Sequence, residues 1–133
     1  MADLTFDIWQ FVRLMDHLET STGKEGGDAR SLFDAWRDLW ETVDGDLARL
    51  HETDFDAYAD MMMNQTITIA DASSPQIACA AETLKTIAAA MDKTVTAERA
   101  KPEPDEDLIE NLMFESGELR QLRKAMTKLT RGD

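Results

Sequence analysis

Asp28 to Leu50, DARSLFDAWRDLWETVDGDLARL, is the most strongly helix-periodic stretch of the chain. Leu32, Trp36, Leu39, Val43, Leu47 and Leu50 recur at steps of three and four. That spacing puts them on one face of a helix with about 3.6 residues per turn. Phe33, Trp40 and Leu47 form a second row beside the first. A stripe this wide needs neighbours on two sides, so the segment is expected to be the central helix of an all-α bundle. The other positions carry Asp34, Asp38, Glu41, Asp44 and Asp46, interleaved with Arg30, Arg37 and Arg49. Asp34–Arg37 and Asp46–Arg49 have i,i+3 spacing, worth about 0.2–0.5 kcal/mol per pair. Asp28 is expected as the N-cap, following the glycines. Gly45 costs about 1 kcal/mol in a helix interior and is read as a kink or a close helix approach.

Toward the N-terminus, Asp3 to Thr20 reads as a first helix capped by Asp3, with Leu4, Ile8, Phe11, Val12, Met15 and Leu18 on its stripe and Trp9 at the edge. Ser21 to Gly27, STGKEGG, has the composition of a loop. Toward the C-terminus, the stripe slips phase at His51-Glu52-Thr53-Asp54, and Thr53 with Asp56 resembles a capping box. A third, shorter helix is expected from there to about Ile69, using Phe55, Tyr58, Met61, Met62 and Ile69. Thr66-Ile67-Thr68-Ile69 is β-branched and alternating, so a short extended piece is the competing reading. Ser74 with Pro75 marks a helix start that runs to about Ala100. The alanines of that helix imply tight packing against a bulky neighbour such as the tryptophan face. Lys101-Pro102-Glu103-Pro104 breaks the chain, and Asp105 to Thr130 forms the last helix. The expected fold is one domain, 1–133: an antiparallel bundle of four long helices plus one shorter helix.

Net charge is -13, with 27 acidic against 14 basic residues. This argues against direct binding to nucleic acid or an anionic membrane, both of which need a basic surface. It favours a basic partner. Charge is also segregated. Glu103 to Glu118 holds seven acids and no base, and Arg120, Arg123, Lys124, Lys128 and Arg131 follow. This layout complements the helix macrodipole. Alternatively, the basic end docks onto the acidic face of Asp28–Asp60, within the bundle or across a homodimer. Cys79 is the single cysteine, so no intramolecular disulfide forms, and its alanine surroundings suggest a buried small hydrophobe. MADLTFDIWQ lacks the basic and apolar regions of a signal peptide, and no run reaches the roughly 20 apolar residues of a membrane span. A cytoplasmic protein is expected.

Catalytic patterns fail one by one. Neither His17 nor His51 is followed by the Lys and Gly of phospho-accepting helical bundles, and no acid stands three residues before either histidine as a di-metal bundle requires. Thr22-Gly23-Lys24 lacks the earlier glycine of a phosphate loop, and Asp105-x-Asp107 does not continue as a calcium loop. The spacing Asp38-x-x-Glu41, Asp107-x-x-Glu110 and Glu115-x-x-Glu118 matches the paired carboxylates of all-α Mg²⁺-dependent pyrophosphohydrolases, but so acidic a chain produces such pairs by chance. No catalytic residue, metal ligand or cofactor is assigned. Met61-Met62-Met63 covers most of a helix circumference, so at least one must be exposed or at an interface, a role to which methionine is suited.

The sequence therefore favours a non-catalytic interaction or regulatory protein. Its acidic helical face, Asp34, Asp38 and Glu41, would contact a basic partner protein or mimic nucleic acid. Met61, Met62 and Met63 would supply an apolar partner or homodimer contact. The alternatives are a Mg²⁺-dependent all-α hydrolase of phosphorylated small molecules such as nucleotides, and an assembly or chaperone subunit.

Overall fold

A computed structural model describes residues 2–25 and 27–131, with the side chains of 21–27 and 131 outside the described set. The order is β1 (Ala2–Asp7), α1 (Ile8–Glu25), α2 (Gly27–Thr53), α3 (Phe55–Asn64), β2 (Thr66–Ala72), α4 (Ser74–Arg99) and α5 (Glu106–Arg131). The protein is mostly helical and carries one small antiparallel sheet.

The sheet corrects two expectations. The first helix starts at Ile8 rather than Asp3, and the third ends at Asn64 rather than near Ile69. Leu4 and Phe6 are buried while Asp3 and Thr5 are exposed, which is strand alternation. The β-branched run Thr66–Ile69 supplies the partner, pairing Leu4 with Ile69, Thr5 with Thr68 and Phe6 with Ile67. Phe6 is fully buried and meets Trp36 edge-on at 6.1 Å, so the sheet caps the tryptophan face of α2. Asp3 is not a helix cap. Its carboxylate accepts the Asp71 N–H at 3.1 Å, where the register shifts and Asp71 takes a φ of 55°.

The helix boundaries also move. The backbone of 21–25 continues α1, so the expected loop is not a loop there, and Gly26 lies outside the described residues. α2 already begins at Gly27, which puts Asp28 inside its first turn rather than at the cap. Gly45 is neither a kink nor a close approach: α2 is continuous across it, and a Cβ there would meet nothing within 4 Å. Asp54, not Thr53, caps α3 by accepting the Ala57 N–H at 3.2 Å. Ser73, not Ser74, caps α4. Its hydroxyl accepts the Gln76 N–H at 3.3 Å while Gln76 accepts the Ser73 N–H at 3.0 Å.

Leu32, Trp36, Trp40, Val43 and Leu47 of α2 are buried, against Phe6, Phe11, Leu14 and Leu18 from β1 and α1. The alanine-rich α4 packs chiefly on α5, and only secondarily on α1 and α2. Short side chains let α4 and α5 approach closely, while Leu84 and Met91 reach into the shared core. Glu98 closes the α4–α5 turn by accepting the Asp105 N–H at 3.0 Å and the Lys101 ammonium at 2.8 Å. Those two partners, Lys101 first, hold its carboxyl below the usual carboxylate range against the opposing effect of desolvation. Within the chain, no ion pair among the described residues joins the basic end of α5 to α2. Arg120 instead pairs with Asp92 of α4. Cys79 is half-buried at the edge of the core rather than enclosed.

Candidate functional site

α3 is the element around which a site forms. It is amphipathic, but none of its ten residues is fully buried. Tyr58, Met61 and Met62 rest on the core surface, while Phe55 and Met63 point outward at 61% and 56% exposure. The helix packs against α2, α1 and β1 without burying any of its own residues fully.

A cleft runs along each side. The first encloses about 390 Å³ and is lined by Trp9, Val12, Met62, Met63, Asn111 and Phe114. Its wall is closed by Arg13 of α1, which donates to Glu115 of α5 at 3.0 Å from Nη2 and 3.3 Å from Nε. The second cleft, about 320 Å³, lies between α2 and α3 and is lined by Trp40, Leu47, His51 and Tyr58 with Asp44 and Glu52. Val12 and Met62 belong to both, so the two clefts flank a shared ridge. At the α2–α3 corner His51 meets Tyr58 edge-on at 5.1 Å and Phe55 at 5.8 Å, and the two aromatic rings stack at 5.6 Å.

The residues singled out in the sequence fall into two places. Met62 and Met63 line the first cleft, and Met61 is half-buried beside them. Asp34, Asp38 and Glu41 are exposed on α2, on the side opposite its buried stripe, and line neither cleft. Asp34 is already engaged by Arg30 at 3.8 Å and by Arg37, whereas Asp38 and Glu41 have no ion-pair partner among the described residues. The methionines and the acidic triplet are therefore not one surface. The acids that reach the clefts are Asp44, Glu52 and Glu115. Phe114, Trp9 and His51 were not assigned to a site by sequence. Phe114 carried a signal, since it stands out of phase with the buried Ile109, Ser116 and Leu119 of its own helix.

The carboxylate pairs stay on single helices. Glu115 is held by Arg13, and among the described residues no group of three or more His, Cys, Asp or Glu converges to hold a metal ion. No described helix is long and apolar enough to cross a membrane. Comparison with protein-family models, curated proteins and solved structures finds no match.

What the arrangement offers chemically is adaptable apolar contact. Trp9, Val12, Met62, Met63 and Phe114 give the first cleft a mainly apolar lining, beside the polar Arg13, Asn111 and Glu115. Methionine and aromatic walls accept varied side-chain shapes with little loss of contact.

Proposed function

We propose that the protein is a non-catalytic interaction module that seats a basic, amphipathic segment of a partner protein in the clefts beside α3. The carrying observation is the first cleft, about 390 Å³ with Met63 and Phe114 each 56% exposed at its rim. Large apolar side chains left in water around a concavity mark sites that gain by being covered. Helix-in-groove recognition uses such a surface, with anchors from one face of the incoming helix.

The basic character of the partner follows from charge. A chain of net charge -13 attracts cations at long range, and Asp44 and Glu52 stand on the second cleft, whereas Glu115 on the first is already paired with Arg13. The exposed α2 face of Asp34, Asp38 and Glu41 then serves as a steering field rather than as the contact itself. Substituting that face lowers the association rate and its salt dependence, whereas substituting the cleft raises the dissociation rate.

The test uses a synthetic amphipathic peptide with lysines on one face and leucines on the other, beside a copy with glutamates for the lysines. Binding of the lysine peptide is measured by calorimetry for the wild type and for Met63→Asp and Phe114→Asp. Both variants replace side chains already more than half exposed, so the fold is expected to persist and circular dichroism checks it. Loss of binding in both variants supports the reading. Unchanged binding in both, or equal affinity for the glutamate peptide, overturns it.

A further inference from the structure

α5 packs along α4 and leaves its opposite face uncovered. That face has a regular plan. Asp107, Glu110, Phe114, Gly117, Gln121, Lys124 and Lys128 follow one another at alternating steps of three and four. That spacing puts all seven on one face of the helix, where Phe114 is the only large apolar side chain, so the face is charge-patterned rather than an apolar seam. Gly117 is partly exposed and the other six positions are exposed.

The seam is self-complementary. Laid antiparallel on a second copy with the two Gly117 residues at the crossing, Asp107 faces the second copy's Lys128 and Glu110 faces its Lys124. Phe114 faces Gln121. Two-fold symmetry makes each contact twice, which is the pattern of an isologous interface. A parallel arrangement would set acid on acid and lysine on lysine, so the charges fix the orientation. Gly117 adds room at the crossing, because a Cβ there would meet nothing within 4 Å in its own chain.

These charges are free to act between chains. Among the described residues, Asp107, Glu110, Lys124 and Lys128 have no ion-pair partner. Glu115 and Arg120, which lie off the seam, are engaged with Arg13 and Asp92. The helix macrodipole accounts for acid in the first turn and base in the last, but it fades within one turn. Glu110 and Lys124 lie beyond those turns. We propose that the outer face of α5 is a homodimer interface in which two copies of the chain pair antiparallel through this seam.

The experiment reverses charges in two separate chains. One carries Asp107→Lys with Glu110→Lys, the other Lys124→Glu with Lys128→Glu. None of the four positions lines the cleft proposed for partner binding, so failure here leaves that reading intact; Phe114 belongs to both surfaces, so a dimer and a seated partner compete for it. Sedimentation equilibrium at low salt is expected to show the wild type approaching twice the 15.0 kDa of the chain. Each variant alone is expected to dissociate, its dimer constant weakened by roughly tenfold or more as four interchain pairs turn repulsive together. An equimolar mixture of the two variants is expected to regain the dimer, because every reversed charge then meets its opposite. A second measurement covers a variant that folds poorly. Gly117→Cys in a Cys79→Ala background is expected to oxidise to a covalent dimer. A wild type that stays monomeric, a mixture that does not reassociate, or a Gly117→Cys chain that does not crosslink overturns the proposal.

Discussion

α3 and α4 sit on either side of β2 and are built on opposite terms. α3 is the richer in apolar side chains, yet it buries none of its residues, while the alanine-heavy α4 buries Ile77, Ala80, Leu84, Ala88 and Met91 along one stripe. Burial follows phase and neighbours rather than composition. The side chains of α4 recur in step with 3.6 and have α5, α1 and α2 to pack against. Met61, Met62 and Met63 are consecutive, so they spread around their helix and only part of it can rest on the core. One helix is a scaffold; the other is a surface held in place by its ends and by partial contacts.

The largest effect that distinguishes them is a truncation in α4. Leu84 is fully buried, so Leu84→Ala is expected to cost about 2–5 kcal/mol in a urea or thermal unfolding curve. Met62→Ala is expected to cost well under that range, because Met62 is only half-buried at the edge of a cleft. A Met62→Ala penalty equal to that of Leu84→Ala would break the contrast and make α3 part of the core.

Asp54 sharpens it from the other side. Asp54 is the N-cap of a helix with little burial, and Asp54→Ala is expected to cost about 1 kcal/mol. Hydrogen exchange is the telling readout: α3 amides should exchange faster while α4 amides do not change. Equal acceleration in both helices would mean that the two unfold as one unit.

The smallest effect is at the C-terminal end of α4. The Glu98 carboxyl titrates below its ordinary value of 4.5, held down first by Lys101 and then by the Asp105 N–H. A carboxylate whose folded value is depressed stabilises the fold fully above its unfolded value, and that contribution is lost as pH falls through the folded value. Stability should therefore decline below about pH 4.5, and Glu98→Gln should be less stable at neutral pH with a flatter acid limb. Acid melts of equal slope for both chains would remove Glu98 from the account.

Much of the scaffold was legible in the sequence, because amphipathic periodicity over many turns leaves little choice. Leu32, Trp36, Val43 and Leu47 are buried as their spacing implied, and the break at Asp54 sits where the stripe lost phase. β1 is hidden in the sequence because Leu4 also falls in step with Ile8 and Phe11, so a short alternating strand continues a helical stripe. Its partner can be read as extended from Thr66 to Ile69, but pairing across about sixty residues leaves no local signature. Pro75 draws the cap one residue late, to Ser74, although Gln76 completes the box only with Ser73. For the site, three consecutive methionines implied exposure without saying what they border. Trp9, Val12 and Phe114 come to Met63 only through the packing of three helices, which no single segment encodes.

The most direct measurement uses methionine methyl groups as reporters. With ¹³C-methyl methionine in the wild type, the lysine–leucine peptide is titrated in and the methyl resonances are followed. Met62 and Met63 are expected to shift together and saturably while Met15 and Met126, enclosed in the core, stay where they are. Shifts confined to other methionines, or an unchanged Met62 and Met63 at saturating peptide, would contradict it.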